Sequence, residues 1–384
     1  MQGTGVSWVV YTMTHSAFML GLTMFALLFP RFLFSLLGGI VADRYNRYKI
    51  LLITQIASML QAVGLAILTL ANHFTVWELL GLSAILGVIN AFDSPARQPL
   101  VHEMINDPAD LPNALALNSS LVNFARIVGP ALAGIVLQKF GAGICFLINA
   151  ISFIAVIGSL LLMKLPVHDN PSRKKKKITY ELTEGFTYLK HTSEISMVLL
   201  MVSLVSLLVL PYETILPVFA KVIFKGDSST FGYIRSFIGL GAIGGAFFLA
   251  LLKPGVDLKR PLLVNTIILG IGLMMFSRVS YFPVAMIFAA IFGFGAMSQT
   301  TICLTIIQIH TDPDMRGRVM SYLLMAMTGM LPLGSLLTGA ISQKIGAPDT
   351  LFCQGILALI IVAVFANFLR SNKLNKTILK KSDK

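Results

Sequence analysis

Eleven apolar runs, each near the length a helix needs to cross a bilayer, dominate this chain. They cover 18–41, 50–71, 76–96, 113–138, 141–163, 195–220, 230–252, 261–278, 283–308, 318–343 and 348–369. A hydrocarbon core of about 30 Å takes about 20 helical residues. Inside it every backbone N–H and C=O must be bonded within the protein, which leaves helices or closed barrels. The runs are too long and too continuously apolar for barrel strands, which alternate. An all-α polytopic membrane protein is therefore predicted. Turn residues separate the runs, among them Asn72-His73, Asp107-Pro108, Gly226-Asp227, Pro254-Gly255, Asp312-Pro313 and Pro348-Asp349. Of the 384 residues 56% are apolar and 12% charged. So few charges cannot clothe a soluble domain of this length, which excludes a cytosolic enzyme, a disordered tail and a secreted disulfide scaffold.

The net charge of +13 has two readings, nucleic acid or membrane topology, and the placement of the bases decides between them. Twenty-two of the 30 Lys and Arg fall in alternate loops and the tail: Arg44, Arg47, Lys49, Arg97, Lys164, Arg173 to Lys177, Lys190, Lys253, Lys259, Arg260, Arg316, Arg318 and the bases from Arg370 to Lys384. The intervening loops hold Lys139, Lys221, Lys225, Arg278 and Lys344. Cytoplasmic loops retain Lys and Arg, so the basic loops are assigned to the inside, in a cell (inner or plasma) membrane. No nucleic-acid partner is expected; the lipid bilayer is. The run Arg173 to Lys177 reads as a solvated linker near anionic headgroups. Leu182, Phe186 and Leu189 follow at helical spacing and predict a short amphipathic helix on the inner surface.

One internal repeat is legible. Residues 107–142 align without gaps on 312–347, with nine identities in 36 positions. Asp107-Pro108 matches Asp312-Pro313, Gly129 matches Gly334, Leu132 matches Leu337, and Gly134 matches Gly339. Gln138-Lys139 matches Gln343-Lys344, and Gly141-Ala142 matches Gly346-Ala347. Two parallel six-helix halves follow, a plan used by secondary transporters. The expected domains are 1–163, from a partial helix 1 to helix 6; a basic linker with an amphipathic helix, 164–194; 195–369, helices 7 to 12; and a basic tail, 370–384.

The loop Gly39-Ile-Val-Ala-Asp43-Arg44-Tyr-Asn46-Arg47-Tyr-Lys49 resembles the signature of the major facilitator superfamily, Gly-x-x-x-Asp-Arg-x-Gly-Arg-Arg. Asn46 replaces its glycine and Tyr48 its second base; Asn tolerates the left-handed backbone of a tight turn. A carboxylate at Asp43 suits the positive N-terminus of a neighbouring helix. The resemblance implies that this neighbour is helix 11, beginning at Arg316-Gly-Arg318, and that the contact gates the inner face. A plain charged turn is the alternative. Asp93-Ser-Pro-Ala-Arg97-Gln-Pro, Asn123-Phe-Ala-Arg126-Ile-Val-Gly129-Pro130-Ala-Leu-Ala-Gly134 and Met315-Arg-Gly-Arg-Val-Met resemble the transmembrane secretion-effector branch, with its enterobactin-exporter-like and macrolide-efflux-like members. Gly129-Pro130-x-x-x-Gly134 is also similar to the antiporter motif of drug exporters; a small-residue packing seam is its plainer reading. The stub from Gly3 to Thr14 resembles the second half of helix 1, so about 30 preceding residues are expected, enough to complete a span. With them both termini are expected to be cytoplasmic.

Charges inside the spans are costly and mark cavities or partners. Arg31, Asp93, Arg126, Glu213 and Arg235 are such positions. Arg97 lies one turn after Asp93 and is a ready ion-pair partner; gating is the competing role. Arg126 is a candidate for facing an anion or for coupling, with a structural ion pair as the alternative. Glu213, between Pro211 and Pro217, is a candidate proton carrier, because burial favours the neutral carboxyl; lining a vestibule is its rival. Asn90, Asn123, Gln299 and Gln308 either line a cavity or bond helix to helix. Cys145, Cys303 and Cys353 read as small core residues. No nucleotide-binding or metallopeptidase pattern occurs, so neither cofactor nor metal nor enzyme activity is expected. The leading expectation is a monomeric secondary-active exporter of a small amphipathic or apolar solute, driven by the proton gradient. An uptake symporter and a transport-dead scaffold remain open.

Overall fold

A computed structural model describes residues 1–71, 74–103, 107–163, 178–253 and 255–382. The turn at Asn72-His73, Pro254, the run Arg173 to Lys177 and Lys384 lie outside the described residues. The described residues are helical almost throughout, and ten helices are long and apolar enough to cross a membrane. The elements are α1 (Gln2–Thr14), α2 (Ala17–Arg44), α3 (Arg47–Leu70), α4 (Val76–Glu103), α5 (Leu111–Leu162), α6 (Ile178–His191), α7 (Ser193–Leu208), α8 (Ser228–Ala250), α9 (Lys259–Arg278), α10 (Phe282–His310), α11 (Arg316–Ile345) and α12 (Ala347–Ser382). A 3-10 turn, Leu210–Ile215, and a π turn, Phe219–Ile223, extend α7. α5 holds two of the expected runs. It bends at Gly141, whose φ of 81° is left-handed. Gly346, its partner in the repeat, has φ 86° between α11 and α12. Both are positions where a side chain would be strained.

The chain forms two compact units. The first comprises Met1–Lys175 with Glu213–Ser236 and Ser335–Ala347; the second comprises Lys176–Tyr212, Phe237–Gly334 and Pro348–Lys384. The division by packing thus differs from the division by repeat, because two segments from beyond residue 195 belong to the first unit.

In the first unit α1 is core. Val6, Val9, Val10 and Tyr11 pack with Leu20, Leu65, Leu79 and Phe146. Lipid is as apolar as leucine, so helices in a bilayer are held by close packing and hydrogen bonds rather than by escape from water. Glycines supply the closeness. A methyl at Gly38 would strike the Ala91 carbonyl, and one at Gly87 the Leu27 carbonyl, so α2 lies directly on α4. In the second unit Gly241 meets Ala290 and Gly293 meets Ile238, which brings α8 onto α10 in the same way.

Three expectations need correcting. Cys353 is exposed, whereas Cys145 and Cys303 are buried as expected. Asn46 is not left-handed: its φ is −62°, and its side chain caps α3 by accepting from the Lys49 N–H at 3.1 Å. A short polar acceptor at a helix start explains the residue without a strained turn. The amphipathic helix forms as α6, but Leu189 is buried while Phe186 is exposed, so the two do not share one covered face. The reason is polar. Glu184 pairs with Arg318 at 2.9 Å, and the Asp312 N–H donates to the Tyr188 hydroxyl at 3.2 Å, which turns α6 onto the start of α11.

Candidate functional site

The Gly39 to Lys49 loop joins α2 to α3. Asp43 and Arg44 are exposed there, and Arg47 donates from Nε to the Ala42 carbonyl at 3.3 Å. A methyl at Gly39 would meet open space; the close approach belongs to Gly38 beside it. At the start of α11, Arg316 is exposed, and Arg318 is committed to Glu184 of α6. The sequence carried no clear sign of that partner, because it lies in the linker helix.

Asp93 on α4 is bonded on both carboxylate oxygens. Its Oδ1 accepts from Thr54 Oγ1 at 2.9 Å and from Gln55 Nε2 at 2.8 Å, both on α3. Arg97 closes the other side, with Nε 3.0 Å from Oδ2. The expected ion pair forms, and the buried α3 donors were missed. Thr54 and Gln55 are adjacent polar residues in an otherwise apolar stretch, and that was the available signal.

Arg31 and Arg126 occupy the middle turns of α2 and of the first arm of α5, and both are exposed. Arg31 donates to Ser94 Oγ at 3.1 Å. Guanidinium groups at that depth do not face hydrocarbon; they face protein or water. Asn90 on α4 and Asn123 on α5 are half-buried. Gln299 is only 1% exposed, and its Nε2 lies 3.5 Å from Cys303 Sγ on the same helix, so it lines no open space here.

Glu213 does not stand in an apolar wall. Its side chain is half exposed, and Arg235 approaches it at 3.4 Å. Arg235 also donates to Thr4 Oγ1 on α1 at 3.1 Å. The structure therefore gives Glu213 an ion-pair partner rather than the apolar surroundings expected of it. Thr4 was not among the expected residues, because nothing in the stub marks it as a partner.

The expected helix-5 motif divides in two. Gly129 faces open space, whereas Gly134 lies against α8: its added methyl would come within 2.5 Å of the Ser228 carbonyl. Pro130 presents its carbonyl to Gly232 of the same helix. Ser228 Oγ donates to the Gly134 carbonyl at 3.0 Å, and Ser236 Oγ to the Ile127 carbonyl at 2.5 Å. This stretch thus packs closely on α8 with hydrogen bonds along the contact.

Comparison with known proteins bears on the chain as a whole. The family described as transmembrane secretion effector matches residues 1–383. The staphyloferrin A transporter of Staphylococcus aureus is 27% identical over 96% of this chain and 92% of its own length. Macrolide efflux protein A of Streptococcus pyogenes is 23% identical over 91% of this chain and 87% of its own. A bacterial homologue of the human lysosomal transporter Spinster superposes with a TM-score of 0.74 at 17% identity, over 98% of this chain and 94% of that one. This multi-pass membrane protein, with its helical major facilitator fold, belongs to the transmembrane secretion effector family of transporters and is not an enzyme.

Proposed function

We propose that this transporter is a secondary-active exporter that couples inward proton movement to efflux of a small amphipathic or apolar solute. It works by alternating access, in a bacterial plasma membrane, with the Lys- and Arg-rich loops inside. The observation that carries the reading is the pair of exposed guanidinium groups at mid-span, Arg31 and Arg126. Such groups mark a water-filled path near the midplane, where transporters of this plan bind their solutes. Export is supported by relatives named for macrolide efflux, and a drug, siderophore or other metabolite fits the range of names among the relatives.

Asp43 and its loop, with Arg44 and Arg47, are proposed to act in the inner gate. Glu213 is proposed as the proton carrier, acting when its contact with Arg235 exchanges. The test uses inverted vesicles that contain the protein, energised with an acid interior and screened against labelled macrolides and siderophores. Accumulation that a protonophore abolishes supports the reading. Accumulation in right-side-out vesicles alone reverses the direction, and accumulation indifferent to the protonophore removes proton coupling.

A further inference from the structure

The repeat contains one motif that neither the inner gate nor the mid-span cavity uses: Gly134-x-x-x-Gln138 and its match Gly339-x-x-x-Gln343. Both copies lie in the first compact unit, at the end of the helices away from the basic loops. Each lays its glycine on the glycine of another helix. A methyl at Gly134 would fall 3.1 Å from Gly232 Cα of α8, and one at Gly339 would fall 2.9 Å from Gly21 Cα of α2. One turn on, each glutamine reaches the N-terminal cap of that same helix. Gln138 Nε2 donates to Asp227 Oδ2, beside the start of α8. Gln343 Oε1 accepts from Ser16 Oγ at 3.0 Å and from the Phe18 N–H at 3.4 Å, at the start of α2. Cap and glycine have the same five-residue spacing on both partners, Ser16 to Gly21 and Asp227 to Gly232.

We infer that these are two symmetry-related clasps that close the outer gate, and that Gln138 and Gln343 hold it shut while the solute path is open on the other side. The inference rests on the orientation proposed above. In each clasp a helix of one repeat half is tied to a helix of the other: α5 to α8, and α11 to α2. Alternating access requires both ties to break when the outer side opens. The chemistry of the two is opposite. Asp227 is ionised and only accepts, so Gln138 must offer its amide N–H. The Phe18 N–H only donates, so Gln343 must offer its carbonyl oxygen. Glutamate is therefore tolerated at 343 and repelled at 138.

The test needs no solute. In protein stripped of its three cysteines, Ser335→Cys places a thiol on α11, where Ser335 is 2% exposed. A membrane-impermeant maleimide applied from the outer face reads gate opening as labelling rate. Gln138→Glu should raise that rate on the order of tenfold, as loss of a charge-assisted hydrogen bond plus a like-charge contact implies. Gln343→Glu should leave it within about twofold, because the acceptor is kept. If Gln138→Glu fails to reach the membrane, Asp227→Asn keeps the helix cap, removes the charge and should shift the rate in the same direction by a smaller factor. Equal effects of the two glutamate variants, or no effect of either Gln138→Glu or Asp227→Asn, overturn the clasp. Failure of proton-coupled export leaves these rates unchanged. Labelling from the basic-loop face alone refutes the proposed orientation, while the contrast between 138 and 343 is still scored.

Discussion

Removing the Asp93 carboxylate tests what holds α4 to α3. Four donor atoms converge on it, but they are not equivalent. The Arg97 side chain is 53% exposed, and such pairs contribute about 0–1 kcal/mol once solvent screening is counted. Thr54 has a second acceptor: its hydroxyl lies 2.9 Å from the Leu51 carbonyl as well as 2.9 Å from Asp93. One hydroxyl proton serves one of these at a time, so Thr54 recovers a bond when Asp93 is lost. Gln55 is 4% exposed, and its amide donates to Asp93 at 2.8 Å. A buried donor left unpaired costs about 1–3 kcal/mol. Asp93→Ala should thus cost about 2–4 kcal/mol, most of it at Gln55. Asp93→Asn keeps an oxygen toward α3 and should cost about 1 kcal/mol. Arg97→Gln should cost less than about 1 kcal/mol. Thermal unfolding of the three variants in one lipid or detergent gives the order. A loss for Arg97→Gln equal to that for Asp93→Ala would refute the reasoning, because the exposed ion pair would then carry the site. Equality of Asp93→Asn with Asp93→Ala would refute it too.

Further outcomes follow from single contacts. Burial raises the Asp227 carboxyl, but hydrogen bonds from Ser229 and Thr230 outweigh it, so the group is held below its ordinary range. A depressed folded value adds stability above the unfolded value and loses it as pH falls through the folded one. The stability gap between the native protein and Asp227→Asn should therefore be level from pH 8 to about pH 5 and shrink only in stronger acid; a gap that closes near neutrality contradicts this. Glu213→Gln should flatten the pH profile of efflux at little cost in stability, its ion pair being half exposed; an unchanged profile rejects Glu213 as the proton carrier. Asp43→Asn should slow transport in vesicles without lowering the amount of inserted protein, and normal transport would take Asp43 out of the gate.

The spans were legible because the bilayer imposes one demand on all of them, and length and apolarity answer it. The division of α5 into two spans was legible as well, in the separate runs 113–138 and 141–163. What resisted reading was pairing. Thr4 with Arg235, Glu184 with Arg318 and Gln55 with Asp93 join residues far apart in sequence, and each side chain had several acceptable partners before the fold chose one. The packing of the stub was not legible either. Too short to cross, it is nonetheless core, with Val10 and Tyr11 sealed among α2, α3, α4 and α5. Its four central apolar residues were visible, but apolarity in such a chain does not tell lipid from protein.

Close packing also explains why the repeat survives where it does. An apolar residue facing lipid or core exchanges freely with others of its kind, so most of 107–142 and 312–347 no longer match. The positions that do match include those where the fold admits little substitution. Gly134 and Gly339 meet another backbone, Gln138 and Gln343 reach a helix cap, and Gly141 and Gly346 hold a left-handed turn. The six lie on two matching short stretches, 134–141 and 339–346, which are assigned here to the outer gate. A weak identity count is therefore a stronger statement than its size suggests. It samples the few places in a membrane helix where geometry, rather than hydropathy, selects the residue.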